Sequence, residues 1–149
     1  MNLRHDMLVH GVYIVTASHQ GQIGGLALAW ATQVAKDQVL ICVSSQSASR
    51  DLILESRAFG LNILRSDQAA LAYSFGRSSI RDRNKFEGIT YRTGDTGSPL
   101  LDDCAISLDC KVHAVYDHES NKLIIGRVVS ILRHVEQYEP LIYRQEDYH

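Results

Sequence analysis

The chain has 149 residues, 45% hydrophobic and 21% charged, which fits one soluble globular domain spanning 1–149. Fifteen Lys and Arg against seventeen Asp and Glu leave a formal charge of −2, so no basic surplus exists to hold nucleic acid or an anionic membrane surface. No apolar stretch approaches the roughly 18 residues of a membrane-spanning helix. MNLRHDMLVHG also lacks the apolar core of a secretory signal, and a cytoplasmic location is expected.

In chain order, Val9 to Ser18 is β-branched and aromatic, His19 to Gln22 turns, and Ile23 to Ala31 returns as the second strand of a hairpin. Val39 to Val43 is a short apolar run that predicts a buried strand. The polar stretch Ser44 to Ser49 predicts a turn, with Ser49 capping a helix through Arg57 and Asp51 at its positive end. Phe59 to Leu64 is a further strand, and Ser66-Asp67 opens a second helix that stops at Gly76. A charged loop, Arg77 to Lys85, follows. From Ile106 to Tyr116 the even positions through Ala114 are apolar or small, the period of a strand with one buried face. Leu123 to Leu132 pairs with it across the Asp117–Lys122 turn. Six or seven strands, two short helices and no long crossover predict a closed antiparallel β-barrel.

Three cysteines (42, 104, 110) without C-x-x-C spacing predict buried small hydrophobes rather than disulfides or a zinc site. The seven histidines show no metal-ligand spacing. Neither a nucleophilic triad nor a paired-carboxylate arrangement is readable, so no catalytic side chain is assigned.

Three stretches are candidate sites. Ala29, Trp30, Ala31, Thr32 and Gln33 put the only tryptophan beside polar side chains at a strand end, which suits a planar heteroaromatic ligand. The same residues would also make an ordinary core tryptophan. The serines 44, 45, 47 and 49 ahead of a helix suit a phosphate, or serve only as a cap. Phe75 to Phe86 concentrates four cationic side chains within nine positions. They could grip a phosphate or simply be solvated.

Taken in this order, the stretches resemble the flavin reductase-like, FMN-binding split-barrel family over Gly11 to Tyr143. The likeness is greatest to its flavoredoxin-like branch. It is carried by W-x-T-Q-V at Trp30–Val34, S-x-x-L-I…F-x-x-N-x-L at Ser49–Leu64, and F-G…S-x-R-D-x-x-K-F at Phe75–Phe86. Gly97-Ser98-Pro99-Leu100, Gly126-x-Val128 and Pro140-Leu141-x-Tyr143 extend it.

The resemblance implies a mainly β, antiparallel split barrel of Greek-key type that forms a homodimer with one FMN per protomer. Trp30 to Gln33 would lie along the isoalloxazine, with Ala29 also among the cofactor-binding residues. Ser45, Ser47 and Ser49 would face the ribityl chain and phosphate, and Ser79, Arg81 and Lys85 would form the phosphate-side loop. Two departures stand out. Ala35-Lys36-Asp37-Gln38 replaces the family's Pro-Pro turn, and Asn121 stands where a turn histidine is usual, with His118 three residues earlier. His118 could swing toward the nicotinamide or be a surface residue. Tyr143 and Tyr148 could cover a flavin face or finish the sheet.

The implied activity is an NAD(P)H-dependent flavin oxidoreductase using NADH or NADPH. The alternative is a flavoredoxin-type FMN electron carrier that serves another redox protein, with little direct NAD(P)H activity. A third reading is a non-redox dimeric barrel without flavin.

Overall fold

The computed structural model describes residues 1, 3–77 and 84–147, with the backbone alone at Arg77. The first hairpin joins β1 (Tyr13–His19) to β2 (Gln22–Leu28) in the register His19↔Gln22. Both turn residues, Gln20 and Gly21, have positive φ (51° and 81°), the twist that a two-residue hairpin favours. β2 ends at Leu28. The return strand expected through Ala31 therefore breaks, and Ala31 instead opens β3 (Ala31–Ala35), paired with β4 (Gln38–Ser44). The first strand also starts later than expected, at Tyr13 rather than Val9.

Helix α1 (Ala48–Ser56) follows, then β5 (Ala58–Ile63) and α2 (Ala69–Arg77). The expected cap is displaced. Ser47 is the N-cap residue, without a side-chain capping bond, and Ser49 lies inside the first turn. α1 ends at Arg57, whose left-handed φ of 60° lets its N–H donate back to Ile53 O. The second half supplies the small hairpin β6 (Tyr91–Thr93) and β7 (Pro99–Leu101). It ends in the long hairpin β8 (Ile106–His118) and β9 (Asn121–Arg133).

Seven strands form one antiparallel sheet in the order β2-β1-β5-β8-β9-β4-β3. Its two ends are consecutive in the chain. One apolar cluster holds Val15, Ala17 and Leu28 from one end together with Val39, Ile41 and Val43 from the other, so the sheet curls around a shared core. Among the described residues no ladder joins β2 to β3, and the barrel is split there. A second cluster (Val12, Ile14, Leu64, Ala72, Phe75, Phe86, Leu101, Cys104, Leu141) packs α2 against the other face of β1, so β1 is apolar on both faces.

The expectation of one buried face on β8 fails in its first half. Ser107 and Asp109 are fully buried along with Cys110, and Ile106 is buried beside them. The segment around β6 and β7 covers that face. Thr96 donates to Asp109 through N–H (3.1 Å) and hydroxyl (2.5 Å), and Ser107 Oγ donates to Asn62 Oδ1 at 2.9 Å. Bulges at Asp109/Cys110 and Val112/Ala114 then break the strict period of two. Cys104 and Cys110 are buried as expected, whereas Cys42 is only half-buried.

Candidate functional site

The break between β2 and β3 shapes the first part of the site. Ala29 and Trp30 lie between the two strands. Trp30 O accepts from Cys42 N at 2.9 Å, which ties the segment to β4. Trp30 is 42% exposed, which disposes of the core-tryptophan alternative. Thr32 and Gln33 are exposed as well. β3 terminates the sheet and pairs with β4 alone among the described strands, so its outer edge offers N–H and C=O groups to a ligand. Gln33 Nε2 donates to Lys36 O at 3.2 Å, which closes the shortened Ala35–Gln38 turn.

The serine turn sits three residues further along β4. From Cys42, beside Trp30, to Ser45 is roughly 10 Å at the rise of a strand. Ser45 is exposed, and its N–H donates to Ser120 O at 2.9 Å. Asn121 pairs with Ser44, and His118 faces Asn121 across the hairpin end, exposed to solvent. The serine turn and the His118–Asn121 turn, distant in sequence, are therefore neighbours. Ser49, by contrast, is 2% exposed and donates to Gly25 O at 3.2 Å.

Lys85 is only 8% exposed, so it is not a solvated loop lysine. Its ammonium donates to Phe75 O at 2.7 Å and Gly25 O at 3.1 Å. Ser79, Arg81 and Tyr148 lie outside the described residues. Tyr143 packs on the second apolar cluster and donates its N–H to His10 O.

Three contributors were missed in the sequence. Gly25 is the acceptor that Ser49 and Lys85 share. Arg50 stands in the first turn of α1 with one guanidinium nitrogen on Asp51 at 3.3 Å, and its buried Nε has no hydrogen-bond partner. A cation at the positive end of a helix opposes the helix dipole, and Asp51 beside it supplies a compensating negative charge. His5 lies over Trp30 with ring centroids 5.6 Å apart, and lines a cavity of about 230 Å³ with Leu28, Ala29, Trp30 and Cys42. Nothing in the spacing of an N-terminal arm announces such a contact.

Among the described residues no group of three or more His, Cys, Asp or Glu side chains is placed to hold a metal ion, and no helix is long and apolar enough to cross a membrane.

The chain is similar to known proteins over nearly its whole length. Residues 4–149 match the flavin reductase-like domain family. An FMN reductase (NADH) RutF 2 from Rhizobium rhizogenes is 32% identical, covering 93% of this chain and 80% of that protein. The reductase subunit HsaB of a flavin-dependent monooxygenase from Rhodococcus jostii is 31% identical, covering 93% and 70%. Among solved structures, a nitrilotriacetate monooxygenase component B from Mycobacterium thermoresistibile superposes with a TM-score of 0.83 at 30% identity, covering 93% of this chain and 77% of that one.

Proposed function

The chain belongs to the flavin reductase-like domain family; from that premise we propose that it binds FMN and acts as an NAD(P)H-dependent flavin oxidoreductase. One observation carries this reading in the structure. The end strands of the split barrel place an exposed tryptophan and an open strand edge at one point on β4, and a serine-rich, cationic helix start about 10 Å further on. A flavin ring and its phosphate differ in the same way from end to end.

When bound, FMN would supply the redox chemistry, with a pyridine nucleotide as the electron donor. The chain's own residues bind and orient. Trp30 offers an aromatic face, and Ala29, Ala31, Thr32 and Gln33 offer edge donors and acceptors from β3. Ser45 and Ser47 line the helix start, whose dipole favours an anion. Arg50 adds a guanidinium whose unpartnered buried Nε fits a phosphate oxygen. Ser49 and Lys85 hold the wall from behind through Gly25, and Lys85 adds positive charge. Ser79 and Arg81, outside the described residues, are assigned to the phosphate side by the family likeness alone. His118 or Asn121 stands near the nicotinamide's approach.

A homodimer is part of the proposal. Val34 on β3 and Val129 and Ile131 on β9 are 47%, 41% and 60% exposed, apolar side chains that a second copy would cover. Reduced flavin would pass to a redox partner, as the monooxygenase reductase relative suggests, within the cytoplasm.

Parallel titrations with FMN and riboflavin test the site. Tight FMN binding with much weaker riboflavin binding is expected, and Arg50→Leu should narrow that gap. Equal affinity for the two flavins would remove the serine turn and Arg50 from the phosphate role.

A further inference from the structure

Two stretches far apart in sequence meet beside the exposed tryptophan. The His5 and Trp30 rings meet edge to face, with an interplanar angle of 72° and centroids 5.6 Å apart, the arrangement in which a positive ring edge meets a π face. The arm that carries His5 is fastened. Arg4 binds Asp6 through two bonds, 2.8 and 2.9 Å, and reaches Glu146 at 2.5 Å. Gln145 closes the loop, accepting from the His5 N–H at 2.7 Å while its own N–H donates to Asp6 at 3.0 Å. One step further in, the Gly11↔Ile142 bridge and the Tyr143 N–H to His10 O bond hold the same two termini together.

We propose that residues 4–6 form a strap clamped to the C-terminal segment, and that His5 on this strap is a positioning residue that sets the Trp30 indole for the flavin ring. The inference rests on the flavin reading above. Trp30 sits between two strands, and among the described residues no strand ladder includes it; its carbonyl accepts from Cys42 N. A half-exposed indole there would otherwise sample several rotamers, and ordering it would cost affinity when a ring binds. His5 removes that cost beforehand. The Arg4–Asp6–Glu146 clamp holds His5 in turn, so residues more than 140 positions away influence the ring end of the site.

Trp30 is the only tryptophan, so its emission reports this contact without a label. The experiment compares wild type, His5→Ala, His5→Phe and Arg4→Gln by iodide quenching of Trp30 without flavin, and by titration with FMN and riboflavin. His5→Ala and Arg4→Gln should each raise the quenching constant at least twofold and weaken both flavins three- to tenfold, with unchanged melting temperature. His5→Phe, which keeps an aromatic edge, should restore both. Unchanged quenching and unchanged FMN affinity in His5→Ala and Arg4→Gln, with wild type binding FMN normally, would overturn the proposal. So would a phenylalanine variant that behaves like alanine. If wild type takes up no FMN, the flavin reading falls and His5's role toward the ring falls with it, while the flavin-free quenching still shows whether the strap exists.

Discussion

Ser49 Oγ and Lys85 Nζ donate to the same acceptor, the carbonyl oxygen of Gly25, at 3.2 and 3.1 Å. That atom joins the first turn of α1, the middle of β2 and the last residue of the charged loop. Gly25 has no space for a side chain, because a Cβ there would stand 2.8 Å from the buried ring of Phe75. The start of α1 and Lys85 are thus braced through one backbone atom of β2.

Lys85→Ala removes both the brace and a cation. FMN affinity should fall by about 1.5–3 kcal/mol, one to two orders of magnitude in Kd, if the ammonium contributes a charge-assisted contact to the phosphate. Riboflavin affinity should change much less. Isothermal titration with both flavins decides it, and an FMN affinity equal to wild type would take Lys85 out of the site.

Asn62 is the conspicuous polar residue of the F-x-x-N-x-L stretch, yet it faces no ligand site. Fully buried, its amide donates to Ile14 O (2.8 Å) and Thr16 Oγ1 (3.2 Å), and its Oδ1 accepts from Leu101 N (3.0 Å) and Ser107 Oγ (2.9 Å). Asn62→Ala strands several of these groups and should cost about 2–4 kcal/mol of stability. Urea unfolding measures this, while flavin affinity of the folded fraction stays near wild type. A loss under 1 kcal/mol would mean that the network is dispensable.

Gly126 permits a close approach of strand and ring. A Cβ at this position would lie 2.4 Å from Phe59 Cζ and 3.1 Å from Cys110 Cβ, and Phe59 is completely buried. Gly126→Ala should therefore destabilise by about 1–3 kcal/mol through overpacking. Adding Phe59→Leu should recover part of it in a double-mutant cycle. Strict additivity of the two changes would argue against the clash.

The thiols give the fold a pH signature. Burial, assisted by the Asp109 charge, pushes Cys110 up to about 12, and burial also raises Cys104 and Cys42. A thiol raised in the native state keeps its stabilisation below its ordinary value of 9.0. From about pH 9 to about pH 12 the unfolded chain ionises first, and stability falls. Tyr13, raised by burial, acts in the same direction. Urea midpoints should drop between pH 8 and pH 10, and drop less in Cys110→Ala. Identical slopes in the two proteins would contradict the assignment.

Much of the barrel was legible in the sequence because strand period and turn chemistry are local. The hairpin at Gln20-Gly21, the β4 apolar run and the β8–β9 pairing all follow from residues within a few positions of one another. Where the reading failed, the cause was distant packing. Ser107 and Asp109 look solvent-facing until the β6–β7 segment covers them. Ser49 looks like a cap until β2 brings Gly25 O within reach. Trp30 and the serine turn were readable as ligand-suited residue types. His5, Arg50 and the shared Gly25 acceptor depend on contacts between segments with no common motif.

The most direct test of the central claim is an absorbance spectrum of the purified protein with FMN, followed anaerobically through additions of NADH and then NADPH. Flavin bands that bleach within seconds of adding a pyridine nucleotide are the predicted result, and the nucleotide that acts first identifies the donor. Bands that persist until dithionite is added, or a protein that takes up no FMN at all, would contradict it.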